Sequence, residues 1–320
     1  MRRLYIALPL MLAAFALPAF GLAALAGEMV PFSPLQGTRG VQFFAIAKTS
    51  ERQAIAVGEA GAVAVITSIG PGEGGLEIEV SSIGHTPLTD VCSWSNGVTL
   101  VTGHDGALLR SVDKTSWQVP ELVKVHKDTL DGPLFSCWCG SGGDGMAVGA
   151  FGRVLRTNDF GATWESIGLS DDDAYHLYRV YKSGEALVIA GEAGRLYRST
   201  DDGSHWVREQ TPYPGSLFGA MRVNDSDLLY GLRGTVVARK RGDLEWSYLQ
   251  KPGVTESYFT GGITRWGAVL AGDGGSIDIV ADGKISPFLR LQGRQAVIGV
   301  VDLDGHFLVA TTSGVGALWP

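Results

Sequence analysis

The side chains that could do chemistry in this 320-residue chain are few and dispersed. Six histidines, His85, His104, His126, His176, His205 and His306, show none of the His-x-x-x-His or paired Cys/His spacings that put two ligands on one metal ion. They read as scattered surface groups, and neither a metal nor a cofactor is expected. Tyr175, Tyr178, Tyr181 and Glu185 bring phenols near a carboxylate, a pairing suited to nucleophilic chemistry, but their pattern is more simply that of a strand and hairpin. No Gly-x-Ser-x-Gly elbow or phosphate loop occurs. Three cysteines, Cys92, Cys137 and Cys139, lack the redox Cys-x-x-Cys spacing. They are either three buried thiols or one bridge from Cys92 to Cys137 or Cys139 with a spare thiol. What does recur is arginine, with Arg110, Arg156 and Arg198 just before similar turns, and Arg153 and Arg195 beside similar glycines.

Those arginines are spaced by a repeat. GAFGRVLRTNDFGATW (Gly149 to Trp164) and GEAGRLYRSTDDGSHW (Gly191 to Trp206) align without a gap, 42 residues apart. Periods of this size are the mark of solenoids and propellers. In each copy a Gly-x-x-Gly turn leads into an apolar strand, because glycine accepts positive φ without a Cβ clash. A polar turn follows, and then a tryptophan that anchors the next strand. Asp159, Gly161 and Trp164 define the first of these turns and Asp201, Gly203 and Trp206 the second; Asp113 and Trp117 keep part of a third that is one residue shorter. Further Gly-x-x-Gly turns begin at Gly58, Gly103, Gly231 and Gly272, with a worn seventh at Thr311, so successive units lie 39 to 46 residues apart. Two apolar strands precede each anchor and two follow it, which is a propeller blade of four short strands. The expected fold is therefore an all-β, seven-bladed β-propeller. Its last unit lacks room for an outer strand, and residues near Glu28 to Leu35 are expected to pair beside Val315 to Trp319 and close the ring.

Residues 1–26 read differently. Arg2 and Arg3 precede an apolar run from Leu4 to Leu25 that ends in Ala-Leu-Ala, the charged, apolar and small-residue parts of a secretory signal peptide. Cleavage after Ala26 is expected, an uncleaved anchor being the other reading, and residues 27–320 are expected to form a single domain. The net charge of −7 argues against nucleic acid as a partner, since phosphates demand a basic surface. Asp171, Asp172 and Asp173 read as a solvated turn between blades.

The turn from Thr157 to Trp164 resembles the Asp-box of sialidase-like propellers at every defined position, and its aspartate there serves the turn rather than catalysis. Over about residues 90 to 210 the repeats resemble the photosystem II stability/assembly factor family, through their Gly-x-x-Gly, apolar-Arg and Asp-Gly-x-x-Trp elements. That resemblance implies a non-catalytic, exported seven-bladed propeller that binds a membrane-complex subunit or transporter as a monomer, in the periplasm or, in a photosynthetic host, the thylakoid lumen. It also implies a basic partner-binding patch, for which Arg110, Arg153, Arg156, Arg195 and Arg198 are the matching positions. A structural use competes: Glu59, Asp105, Glu192 and Asp273 lie inside the Gly-x-x-Gly turns and could pair with arginines of neighbouring blades. The alternative function, a sialidase-like glycoside hydrolase, would require three arginines around a carboxylate, a tyrosine activated by glutamate and an acid/base aspartate. The chain lacks the Arg-Ile-Pro element that would supply the first of these.

Overall fold

A computed structural model of the protein describes residues 27–71, 75–124, 132–169, 174–250, 252–253 and 256–318. Residues 1–26, expected to be a signal peptide, lie outside the described residues, as do Asp171 to Asp173 and His126. Seven sheets, antiparallel apart from one added parallel strand in each of two of them, stand around one axis. Their innermost strands are Phe43–Ser50, Leu88–Ser93, Leu134–Cys139, Leu177–Ser183, Leu217–Val223, Tyr258–Thr264 and Val297–Leu303. Each contacts the next, and the seventh contacts the first, so the ring is closed.

The apolar runs explain the arrangement. The second strands, such as Ala186–Gly191 and His306–Thr311, are buried at every residue, so both faces of the blade are covered. Seven separate cores result, each made by one face of a blade and the facing side of its neighbour. The core between blades three and four, for example, sets Met146, Val148 and Val154 against Leu177, Ile189, Tyr197 and Trp206. The tryptophan after each turn reaches back toward the preceding blade: Trp164 into the core it shares with blade two, Trp206 with blade three and Trp246 with blade four.

Closure involves the N-terminal segment, as the sequence suggests, and takes it one blade further. Pro34 bridges Gly316, Leu35 donates its amide to Val315 O (2.7 Å), and Thr38 Oγ1 exchanges hydrogen bonds with Val315. These contacts cover the outer edge of blade seven, which has only three strands of its own. The strand Glu28–Val30 then runs parallel to Lys284–Leu291 as the fifth strand of blade six. Blade two departs from the four-strand expectation. After a single bridge between Arg110 and Gln118 the chain meets Pro120, which has no N–H to donate, and Glu121–Lys124 crosses to blade three to pair parallel with Thr163–Ser166.

The two glycines of each Gly-x-x-Gly turn have different reasons to be there. The second has φ of 64 to 71° in the six clear copies, and the residue before it is also left-handed, from Ala60 (50°) to Gly274 (64°). Two consecutive positive φ values make the primed turn that suits twisted hairpins. The first glycine is extended, and space is its constraint: a Cβ at Gly149 would lie 2.1 Å from Pro133 O, and one at Gly191 2.4 Å from His176 O. That carbonyl accepts the amide following the glycine, 2.9 Å for Ala150 and 2.8 Å for Glu192, which ties the turn to the start of the inner strand.

At the opposite ends of the third strands the Asp-Gly-Trp turns close on themselves. Thr157 Oγ1 donates to Asp159 Oδ1 (2.8 Å) and accepts the Gly161 amide (3.1 Å), while Asp159 accepts the Ala162 and Thr163 amides and the Thr163 hydroxyl. Ser199, Asp201, Gly203 and His205 repeat the pattern. Gly161 and Gly203 are left-handed, and the indoles of Trp164 and Trp206 donate to their carbonyls at 3.1 Å. In the shorter copy Asp113 still accepts the Thr115 and Ser116 amides, but Trp117 Nε1 finds no acceptor among the described residues. In blade five, where the aspartate is lost, Trp246 Nε1 donates instead to Glu209 of blade four (3.1 Å).

The cysteines form one bridge, Cys92 to Cys139, with Cα atoms 5.7 Å apart, between the inner strands of blades two and three. Cys137 is the free, buried thiol, so the three-thiol reading does not hold. Two residues from Cys139, Cys137 lies deeper in the same strand, where its amide donates to Asp90. Cys139 sits at the strand end, where it meets its partner.

Two expectations follow. Gly149→Ala should lower unfolding stability by more than about 2 kcal/mol, whereas Gly168→Ala, with nothing within 4 Å of its Cβ, should change it by less than about 0.5 kcal/mol in urea titrations. The Ser116 and Thr115 amides hold the Asp113 carboxyl far below the usual carboxylate range. Its ionised form therefore stabilises the fold above the unfolded-chain value near pH 4, and the contribution is lost as pH falls toward the folded value. Asp113→Asn should be less stable than the parent protein at pH 7, with a gap that narrows steadily below pH 4 when both are unfolded in urea.

Candidate functional site

The five arginines singled out by the repeat fall at two ends of the third strands. Arg153 and Arg195 lie at the Gly-x-x-Gly end. Arg153 is buried and donates to Gly132 O (2.7 Å), and Arg195 lies over the ring of Tyr175, 3.9 Å from its centre. At the other end Arg110 donates through Nε to Phe160 O of the next blade (2.8 Å), Arg156 stands opposite Glu165 in the register, and Arg198 approaches Glu209 (3.9 Å). Arg239 of blade five shares Glu209 at 2.9 Å and stacks on Trp246, so this carboxylate joins two blades. Three of the acids inside the turns cap backbone instead: Glu59 accepts the Gln42 amide, Glu192 that of His176 and Asp273 that of Ser257.

A different set of residues meets at the axis. Every inner strand carries a β-bulge at its second residue, where the pairing with the second strand shifts. A bulge re-aims the extra side chain. The seven residues at this position are Phe44, Thr89, Phe135, Tyr178, Phe218, Phe259 and Ile298, all half-buried and all lining one axial cavity of about 250 Å³ to which every blade contributes. Their rings touch in sequence: Phe135 to Tyr178 at 5.7 Å, Tyr178 to Phe218 at 5.4 Å and Phe218 to Phe259 at 5.8 Å between centres. The run continues outward through His176, 5.9 Å from Phe135, to Phe151, 5.1 Å from His176, at the tip of the blade-three turn. Phe151 is 68% exposed. Sequence reading passed over this ring, although its signal was there, since each member stands 13 or 14 residues before the first residue of its Gly-x-x-Gly.

Below the rings lies a polar layer. Arg179 of blade four reaches Asp90 of blade two at 3.3 Å, while Asp90 also accepts the amides of Val91 and of Cys137 in the blade between them. Tyr230 packs over Gly219, where a Cβ would lie 2.2 Å from its ring, and also lines the cavity. Burial pushes its phenol up to about 12 although Arg179 pulls it down.

Elsewhere, a polar cleft of about 620 Å³ opens between blades four and five, with Arg198, Arg222 and Arg239 set against Asp225 and Asp227. Tyr258 donates to Asp278 beside a third cavity. Burial raises both groups, and it likewise raises Tyr178 and Tyr181. A tyrosine nucleophile needs its phenolate made more accessible, so these environments work against that chemistry. Among the described residues no group of three or more His, Cys, Asp or Glu side chains could hold a metal ion, and no helix is long and apolar enough to cross a membrane.

No protein-family model matches the chain. Over 108 residues it is 32% identical to the photosystem II assembly lipoprotein Ycf48 of Synechococcus sp. (strain CC9902), a match covering 32% of each protein, so the similarity spans about a third of that relative. Among solved structures, YCF48 bound to D1 peptide superposes with a TM-score of 0.69 at 13% identity, over 92% of this chain and all of that one. A catalytically inactive virginiamycin B lyase from Staphylococcus aureus, with quinupristin, superposes with a TM-score of 0.72 at 15% identity, over 89% of this chain and 97% of that one. The chain thus resembles the photosystem II assembly factors in sequence and has their propeller fold, a fold that also carries an enzyme.

Proposed function

We propose that this chain is an exported, non-catalytic propeller that binds a protein and serves as a scaffold for assembly or maintenance of a membrane complex. The observation that carries this reading is the continuous run of aromatic side chains from Phe151 at the rim to Phe259 at the axis. Contiguous accessible aromatics are characteristic of protein-binding surfaces, where they supply large contact area at small entropic cost. Arg195 on Tyr175 borders the run, because Tyr175 O accepts the Gly152 amide next to Phe151. The partner surface is therefore assigned to the Gly-x-x-Gly end, with Arg195 and Arg153 on its flank. Arg110, Arg156 and Arg198, at the other end of the strands, act mainly between neighbouring strands and blades.

Three further points support the reading. The similarity to Ycf48, whose name gives it an assembly role, is local in sequence and near-complete in fold. The bridge between Cys92 and Cys139 suits the oxidising compartment to which residues 1–26 would direct the chain, the periplasm or a thylakoid lumen. The tyrosines nearest to carboxylates are pushed toward their neutral form, which disfavours the glycosidase alternative.

The test is affinity capture from detergent-solubilised membranes of the native host, with bound proteins identified by mass spectrometry. The parent protein should retain a membrane-complex subunit, and Phe151→Asn, whose replacement tolerates the left-handed backbone at that position, should retain at least about tenfold less with an unchanged melting temperature. Equal capture by both, or turnover of a fluorogenic sialoside panel by the purified protein, would overturn the proposal.

A further inference from the structure

Two positions of blade six depart from the repeat, and they meet each other. At the third residue after the Gly-x-x-Gly turn the other blades carry Ala64, Leu109, Leu155, Tyr197, Val237 and Ala317, all at the same place in the pairing with the second strand, whereas blade six carries Asp278. At the first residue of the inner strand the other blades carry Phe, Leu or Val, and blade six carries Tyr258. Tyr258 donates its hydroxyl to Asp278 Oδ2, which satisfies the phenol and leaves the carboxylate half used. Among the described residues Oδ1 meets no donor, and no lysine, arginine or histidine forms an ion pair with Asp278. A carboxylate at a core position without a counter-charge destabilises a fold, and such breaks in a local pattern concentrate at functional sites.

The pair borders a cavity of about 470 Å³ between blades five and six. Ile285, Pro287 and Leu289 of the fourth strand give it a largely apolar wall, and Gln250 ends the outer strand of blade five on the other side. The side-chain donors of the lining are committed. Tyr258 serves Asp278, Ser276 Oγ serves Asp273 O (3.0 Å), Gln250 Nε2 serves Gly234 O (2.8 Å), and Arg290 has its counter-charge in Glu256 (3.5 Å), which Arg294 shares (3.7 Å). Acceptors are left over, since Asp278 Oδ1 and Gln250 Oε1 have no donor among the described residues. A ligand that suits this lining brings N–H donors and positive charge at one end and an apolar body at the other. Among the described residues no group of three His, Cys, Asp or Glu side chains could hold a metal ion, so the cation that fits is organic.

We infer that this cavity binds a primary ammonium group carried on a short aliphatic chain, with its N–H groups on Asp278 Oδ1 and Gln250 Oε1 and its methylenes against Ile285, Pro287 and Leu289. A hydrogen bond from an ammonium to a carboxylate is charge-assisted, and in a partly enclosed, apolar-walled site it is stronger than on an open surface. The ligand also supplies the counter-charge that Asp278 lacks in the free protein. A small free amine and a lysine side chain present the same group, and the test separates them. This inference goes beyond the protein-binding reading and does not depend on it.

The experiment is isothermal titration of the purified protein at pH 7 with n-pentylamine, 1-pentanol, pentanoate and Nα-acetyl-lysinamide. Pentylamine should bind at least about tenfold more tightly than the alcohol or the acid of the same length. Asp278→Asn, which still accepts the Tyr258 hydroxyl, should lose that preference and bind amine and alcohol alike. Asp278→Leu/Tyr258→Phe, which gives blade six the apolar residues of the other blades, should fold, because both partners of the hydrogen bond are removed together, and should also lose the amine. Acetyl-lysinamide binding as tightly as pentylamine would assign the site to a lysine side chain, and weaker binding would assign it to a free amine. Equal binding of amine and alcohol by the parent protein, tighter binding of pentanoate, binding of none of the four, or an undiminished amine preference in Asp278→Asn would overturn the inference.

Discussion

The structure depends on one constraint: every blade has two apolar faces. A free sheet can leave one face to water, but strands such as Ala186–Gly191 and His306–Thr311 are covered on both sides and need a neighbour on each. Adding blades only moves the exposed face along, until the last blade meets the first. The core between blades seven and one, where Leu303, Leu308 and Val315 pack against Phe43, Ile46 and Ile66, is therefore as necessary as any internal one. The contacts of Leu35 and Thr38 with Val315, together with the bond from Ser68 Oγ to Asp304 (2.8 Å), fasten that seam. The bridge from Cys92 to Cys139 fastens another.

How much was legible beforehand follows from which interactions are local. The period, the blade count and the closing segment could be read because turn chemistry and strand apolarity are written in short stretches, and the best copies, Gly149 to Trp164 and Gly191 to Trp206, repeat almost intact. The positive-φ reason given for the Gly-x-x-Gly turn holds at its second glycine and not at its first, where the constraint at Gly149 is the approach of Pro133 O, a contact across the blade. The strand exchange at blade two hung on Pro120 ending a pairing that the repeat alone would continue. The cysteine pairing required knowing that Cys137 faces Asp90 in the interior while Cys139 stands at the strand end. The arginines illustrate the same limit. Their periodic placement was visible, but whether each would meet a carbonyl, a ring or the shared carboxylate of Glu209 depends on the next blade.

The axial ring shows how function can be hidden in a repeat. The residue at each bulge varies among Phe, Tyr, Thr and Ile, so no motif marks it, and only the fixed distance to the following turn betrays it. Once the bulges turn these residues inward, seven weakly related positions become one surface, and Phe151 and His176 extend it to the rim. The Asp-Gly-Trp turns, by contrast, are the most recognisable part of the sequence and lie at the other ends of the strands, where their aspartates are used up by backbone amides. Conspicuous chemistry here serves architecture, and inconspicuous chemistry lines the axis. The fold itself is neutral on the matter, since similar propellers include both an assembly factor and a lyase.

The central claim, that a partner seats on the axial aromatic face, is tested most directly by hydrogen–deuterium exchange of the protein alone and in complex with its captured partner. The account predicts added protection at residues 43–47, 134–139 and 177–183 and at the turn around Phe151, with residues 157–164 and 199–206 unchanged. Protection confined to those latter turns, with the axial segments unaffected, would contradict it.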